Sequence, residues 1–333
     1  MKKLLLVLVF VCTFNISNSD AQVFLVCSEE TDEVLAYNGI NGSFINPFVS
    51  SMSGGIDQPR GGVVGSDGNL YVSGRASDNV IRYNGQTGSF IDVFVPAGSG
   101  GLDAPDSLIF GPDGNLYVAS FSNDNVLRFD GETGEFIDEF VATAANGGLD
   151  SPTSLVFGPD GNLYVSSFLE NGVFRYNGAT GAFIDIFVPN NSGGLIRAVD
   201  LAFGPDGNLY VSSNQTSEVK RYNGTTGNFI DDFITSGSGG LSNPIGLLFA
   251  FDSILYVGDD FSNQVLSYNA NTGAFIDVFV TPNSGGLNDP YCLLFIDRIA
   301  RNVPTLSEWG LIAMAGVLGL VGFIVMRKRM ATA

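Results

Sequence analysis

A short motif of the form Thr-Gly-x-Phe returns along this chain with its phenylalanine at Phe90, Phe136, Phe183, Phe229 and Phe275. A weaker Asn-Gly-Ser-Phe version ends at Phe44, and the successive intervals are 46, 46, 47, 46 and 46 residues. Two other markers keep the same period. Leu-Tyr-Val surrounds Tyr71, Tyr117, Tyr164, Tyr210 and Tyr256, with Leu25-Val26 as a divergent first copy. Pro-x-x-Leu-x-Phe starts at Pro105, Pro152, Pro244 and Pro290, with looser versions from Pro59 and Ala198. A fixed period of this length marks a solenoid, a propeller or an array, because no single unit can bury its apolar face alone.

Each copy holds four short β-type runs between turn residues. In the second full unit they are Pro105–Phe110, Asn115–Ser120, Asn125–Phe129 and Phe136–Val141. The first pair is joined by Gly111-Pro112-Asp113-Gly114 and the last pair by Asp130-Gly131-Glu132-Thr133-Gly134. Both are turn chemistry, with Pro presetting one φ and Gly supplying a positive one. No stretch between the markers carries a useful 3.6-residue apolar period, which disfavours a helical solenoid. Four strands per unit at this period predicts an all-β, six-bladed β-propeller of four-stranded blades over residues 22–298.

The order of the strands predicts how the ring closes. The segment Val23–Cys27 has the character of a second strand, and Pro290–Ile296 that of a first strand. These two terminal segments therefore complete one blade together. Cys292 occupies the place of Ser154, and Cys27 that of Ser166. If Phe157 faces Leu163, Ser154 faces Ser166, and the same register sets Cys27 opposite Cys292. Directly opposed residues of an antiparallel pair have Cβ atoms about 4.5–5.5 Å apart, close to what a disulfide spans. The expectation is a Cys27–Cys292 disulfide; the alternative is two buried free thiols.

The flanks carry export signals. Met1-Lys2-Lys3, an apolar run from Leu4 to Phe14 and Ala21-Gln22 describe a secretory signal peptide over residues 1–21. Export also suits a disulfide. At the other end, after a linker at 299–302 and the segment 303–310, residues 311–326 are uncharged and apolar, which predicts a C-terminal single-pass transmembrane helix. Trp309 suits its outer interface, and Arg327-Lys328-Arg329 place the basic tail, 327–333, in the cytoplasm. Lys and Arg number 15 against 34 Asp and Glu, a formal charge of −19, which argues against a nucleic-acid partner. Histidine is absent, which removes His-based triads, His general bases and most zinc sites.

Two resemblances follow from these residues. Phe157-Gly-Pro-Asp-Gly-Asn-Leu-Tyr-Val-Ser-Ser, with Asn125-Val-Leu-Arg-Phe and Pro152, resembles NHL-type repeats, a family of six-bladed propellers. Val303-Pro304-Thr305-Leu306-Ser307-Glu308-Trp309-Gly310, with the apolar segment and Arg327-Lys328-Arg329, resembles the IPTL-CTERM sorting signal, Val303 standing where Ile is usual. That resemblance implies an exosortase-type processing enzyme as a partner, a Gram-negative bacterial setting and delivery to the cell surface. The residues by themselves describe a membrane anchor.

Residues present in every blade are most simply architectural. Asp92, Asp138, Asp185, Asp231 and Asp277 read as hydrogen-bonding partners for turns or neighbouring blades, and Arg82, Arg128, Arg175 and Arg221 as partners for acidic neighbours. The non-repeating loops between second and third strands share one face with the interblade connections, around one mouth of the channel. They carry Glu29-Glu30-Thr31-Asp32-Glu33, Asp78, Asn123-Asp124, Glu170, Asn214 with Glu218, and Asp259-Asp260. Asp106 and Asp200 are the only carboxylates in the first-strand channel positions. Oxygen ligands around a mouth suit a hard cation, so Asp106 and Asp200 are candidate metal ligands and Ca²⁺ the one candidate cofactor. Six-bladed lactonases hold a channel calcium with Glu, Asn and Asp. Streptogramin-lyase-like propellers have similar repeats but depend on histidine, so that activity is not expected here. No nucleophile elbow, phosphate loop or cysteine–base pair is present, so no catalytic residue is assigned. The reading is an exported, surface-displayed binding or structural scaffold with a protein, glycan or matrix ligand. The alternative is a calcium-dependent hydrolase or lactonase at an acidic mouth.

Overall fold

The computed structural model describes residues 22–250 and 253–297. The signal segment 1–21, the linker, the sorting motif from Val303 to Gly310, the apolar segment and the basic tail lie outside the described residues. Within them, six four-stranded antiparallel sheets follow one another along the chain. Blades 1 to 5 start at Pro59, Pro105, Pro152, Ala198 and Pro244 and end at Val95, Val141, Val188, Ile234 and Val280. The closing blade takes its first strand from Pro290–Asp297 and its other three from Gln22–Ser28, Glu33–Asn38 and Phe44–Val49. First strands contact the first strands of both neighbouring blades, so they line the centre. The expected six-bladed architecture and its closure by terminal strands are thus what the structure has.

The periodic markers acquire physical reasons. Each Tyr of Leu-Tyr-Val is buried between blades and packs edge-on against two phenylalanines: Tyr117 lies 4.8 Å from Phe140 and 5.2 Å from Phe157. Aromatic pairs in such T-shaped geometry add about 0.5–1.5 kcal/mol beyond the area they bury. In Thr-Gly-x-Phe, Gly134 sits at φ +75° with its ideal Cβ only 1.9 Å from the Phe94 carbonyl, so no side chain fits. Phe136 then lies on Gly100 of the preceding Ser-Gly-Gly connector, where a Cβ would meet its ring at 2.1 Å. The 47-residue interval falls where the connector of blade 3 is built as Thr143–Ala145 followed by Asn146 and not as Ser-Gly-Gly.

Third strands are tied to these connectors by tyrosine hydroxyls. Tyr83, Tyr176, Tyr222, Tyr268 and Tyr37 donate to the carbonyls of Ser53, Asn146, Ser192, Ser238 and Ser284 at 2.7–2.8 Å. Blade 2 has Phe129 at this position.

The register refines one expectation. Phe157 does face Leu163, but the ladder then jumps from Leu155↔Val165 to Pro152↔Ser167. Thr153 and Ser154 therefore share Ser166 across a β-bulge. The Ser166 hydroxyl accepts the Ser154 N–H at 2.8 Å. The closing blade has the same jump, from Val26↔Leu293 to Ser28↔Pro290, so Tyr291 and Cys292 jointly face Cys27. The Cys27–Cys292 disulfide is formed across this bulge, with Cα atoms 4.9 Å apart.

Candidate functional site at the channel mouth

Superimposing the blades by their sequence period separates what repeats from what does not. In the outer half the charged groups repeat. Arg82, Arg128, Arg175 and Arg221 each bond the aspartate directly across on the fourth strand of the same blade: Asp92, Asp138, Asp185 and Asp231. The aspartates were expected to serve turns or neighbouring blades; their partner is instead the adjacent strand. In blade 5 Ser267 takes the arginine's place opposite Asp277. Asp67, Asp113, Asp160 and Asp206 cap their own turns through the Asn two residues on and a Tyr hydroxyl at 3.0 Å. These carboxyls lie below the ordinary range: burial raises them, but those hydrogen bonds and the nearby arginine outweigh it.

Part of the acidic mouth also proves architectural. Asp32, Asp78 and Asp124 occupy one left-handed position at the end of the loop between second and third strands. Each accepts a backbone N–H from the residue just before the next blade: Gln58 at 2.9 Å, Ala104 at 2.7 Å and Ser151 at 2.8 Å. Asn171 and Asn263 do the same for Arg197 and Asp289. These loop acids, non-repeating in sequence, form an interblade latch. Asp259 is consumed similarly, accepting from Ser242, Asn243 and Ser262.

What remains truly variable lies in three six-membered sets around the mouth. The first loop residue after the second strand is Glu29, Arg75, Phe121, Phe168, Asn214 or Asp260. The residue before each blade start is Gln58, Ala104, Ser151, Arg197, Asn243 or Asp289. The second residue of each first strand is Arg60, Asp106, Thr153, Val199, Ile245 or Tyr291. Sorted by blade, they divide the mouth into two sides. Around the closing blade and blades 1 and 2 it is densely charged; around blades 2 and 3 it carries the aromatic rings Phe121 and Phe168, with Arg197 and Val199 of blade 4 beside them.

On the charged side Arg60 is the hub. It contacts Glu29 at 2.8 Å and Asp106 at 3.0 Å and stacks over the Tyr291 ring at 4.0 Å. Arg75 reaches the same Asp106 oxygen at 2.6 Å and stacks over Phe121 at 4.0 Å. Burial pushes the Asp106 carboxyl up, and the two guanidiniums oppose that shift. Burial and the facing Glu29 carboxylate also raise Asp289. Glu29 Oε2 and Asp289 Oδ1 are buried without a hydrogen-bond donor. On the aromatic side Phe121 and Phe168 meet edge-on at 6.2 Å, and Arg197 stacks over Phe168 at 5.3 Å.

Below the mouth the first strands enclose a cavity of about 150 Å³. Both sequence-selected carboxylates line it, as expected, but their partners differ. Asp106 is held by two arginines. Asp200 accepts the Ser154 hydroxyl at 2.6 Å and the Leu201 and Leu247 N–H groups at 2.8 and 2.7 Å. Burial raises its carboxyl to about 6, against the pull of those bonds. A Ca²⁺ ion needs six to eight oxygen ligands, and among the described residues no three carboxylates converge in a metal-binding group. A cation on Asp106 would also have to displace Arg60 and Arg75. Arg60, Arg75, Asp289 and Tyr291 were not selected from the sequence; aligning the repeats column by column, as above, is the signal that finds them.

Fold and mouth together define a six-bladed, disulfide-closed β-propeller whose blades differ from one another chiefly around one end of the channel. The comparisons agree with that class. The propeller of a nidogen/laminin complex superimposes with a TM-score of 0.64 at 14% identity, covering 82% of this chain and 98% of that one. A Bacteroides caccae protein of unknown function gives 0.62 at 13%, covering 83% and 99%. Virginiamycin B lyase from Staphylococcus aureus gives 0.54 at 16%, covering 72% and 77%. At such identities the likeness is one of fold. No curated protein matches the chain. Residues 303–329 match the IPTL-CTERM motif, which suggests an exported protein sorted to the cell surface and processed by an exosortase-like enzyme. Among the described residues no helix is long and apolar enough to cross a membrane.

Proposed function

We propose that this is an exported NHL-type propeller displayed at the cell surface, where it acts as a binding scaffold through the channel mouth. In this reading residues 1–21 are removed as a signal peptide. Residues 311–326 span the inner membrane until an exosortase-like enzyme acts on the tail. The observation that carries the proposal is the distribution of variability. The outer half is built from the same arginine–aspartate pairs in four blades, whereas the mouth presents six different residues at each of two positions and five at a third, where Phe occurs twice. A purely mechanical repeat has no need of that difference. The nidogen propeller is seen in a complex with laminin, which supports protein contact as a use of this architecture. A histidine-to-alanine variant of virginiamycin B lyase is catalytically inactive, and this chain has no histidine. The alternative, a calcium-dependent hydrolase using Asp106 and Asp200, is disfavoured by the arginines already seated on Asp106.

Two measurements test the reading. Surface proteolysis of intact cells should degrade the full chain but not a variant ending at residue 302; equal protection of both would overturn surface sorting through the tail. Immobilised protein should retain envelope material that Phe168→Asp loses and Ile137→Asp, on the outer rim, keeps. Retention that depends on the rim and not on the mouth would overturn the assignment of the binding face.

A further inference from the structure

The channel cavity has an unbalanced charge and a graded wall. Its titratable lining groups are Arg60, Asp106, Tyr291 and Asp200. Arg60, Arg75, Glu29 and Asp106 form one mutually paired cluster with two charges of each sign. Asp200, in blade 4, stands three blades from the arginines of blade 1 and two from Asp106, and among the described residues it has no cationic partner. Its hydrogen bonds come only from a hydroxyl and two amides. Two bonds fall on Oδ1 and one on Oδ2, which leaves acceptor capacity on the carboxylate. Leu155, Leu201, Leu247 and Leu293, from four successive blades, reach the same cavity with the exposed edges of side chains otherwise packed between blades, the smaller part of a largely polar lining. A volume of about 150 Å³ equals that of an apolar protein cavity able to hold a benzene molecule. It therefore admits an unbranched chain of four carbons bearing one nitrogen.

We propose that this channel binds a primary alkylammonium group, with the nitrogen on Asp200 and the alkyl stem against the leucine edges. The chemistry is that of a lysine side chain on a partner or of a free small alkylamine. Charge favours the approach: with a formal −19 the chain attracts cations from a distance. The inference rests on the binding-scaffold reading and names the chemistry of its ligand. A buried carboxylate paired with an ammonium is also a better-compensated arrangement than the same carboxylate facing only neutral donors.

The test is calorimetric titration of the full chain in detergent with n-butylammonium chloride, with 1-butanol as the uncharged control. Saturable binding of the amine and none of the alcohol is expected. Asp200→Asn should weaken it at least tenfold. Ser107→Leu, which fills the cavity at a residue lining it without touching the carboxylate, should do the same if Asp200→Asn fails to fold. Because the Asp200 carboxyl titrates near 6, affinity should be about tenfold weaker at pH 5 than at pH 7. Replacing butylammonium with an acetyl-lysyl-amide peptide separates the sources: tighter binding of the peptide indicates a protein partner, weaker binding a free amine. No saturable binding, or binding unchanged in both variants, overturns the proposal. Surface proteolysis and envelope retention read independently of it, so a failure here leaves those results standing.

Discussion

Replacing Cys27 and Cys292 together by serine isolates the contribution of the closing disulfide, because blade 3 already shows what serine does at that bulge. There Ser154 and Ser166 sit in the equivalent places and their contact is a 2.8 Å hydrogen bond, so the double variant leaves a compatible local structure. What it removes is a link between residues 265 apart in sequence. Chain-entropy arithmetic for a loop of that length gives about 5.5 kcal/mol at 25 °C. With unfolding entropy near 2.1 cal/mol/K per residue over roughly 280 residues, that corresponds to a fall in melting temperature of about 9 °C. Scanning calorimetry of the oxidised protein and the double variant measures it directly. Reductant should move the wild type by a similar amount and leave the variant where it is. A difference below about 2 °C would refute the reasoning, since it would mean the strand pairing alone holds the ring shut and keeps the unfolded chain comparably constrained.

Two further outcomes follow from the repeat comparison and from the mouth. Phe129→Tyr restores the hydroxyl that five other blades direct at a connector carbonyl, here that of Ser99. It should stabilise the chain by about 1 kcal/mol, read as a small rise in denaturation midpoint; a fall would show that blade 2 cannot seat the hydroxyl. Burial beside Glu29 holds the Asp289 carboxyl above its ordinary range, with Asp260 adding to the shift and Arg60 bonded to Glu29. The folded chain thus binds that proton more tightly than the unfolded chain. This contribution favours the fold at and below the ordinary carboxylate range and is lost as pH rises. Asp289→Asn should flatten the decline of melting temperature from pH 5 to pH 9, and an unchanged slope would count against the carboxyl pair as its source.

The fold was legible because its determinants recur. Thr-Gly-x-Phe is a statement about backbone: Gly134 against the Phe94 carbonyl and Phe136 on Gly100 leave no room for other residues. The closing strand was legible for the same reason, since Pro290–Ile296 carries the first-strand pattern at the wrong end of the chain. The bulge that places Tyr291 and Cys292 together opposite Cys27 was not, because it lies at the strand entry, beyond the apolar pairs that fix the register, where one extra residue disturbs none of them. At the mouth, the sequence pointed to Asp106 and Asp200 as carboxylates in the channel but not to their partners. Arg60 and Arg75 come from blade 1 and meet Asp106 of blade 2 only through the ring geometry. Asp78 and Asp124 looked like free acids because the amides they cap, on Ala104 and Ser151, lie 26 and 27 residues on, just before the next blade.

Closure by the last strand gives the molecule a test of its own completeness. Residues 22–49 pair with nothing along their first edge until Pro290–Asp297 arrives to cover it. A chain truncated anywhere before that strand keeps an exposed sheet edge and an unpaired thiol on Cys27. Both are features that proteases and thiol-handling enzymes of an oxidising compartment act upon. Only the chain that has been made almost to the start of its C-terminal tail can hide them. Those final eight residues thus act as a seal, and an intact seal certifies that everything upstream is present.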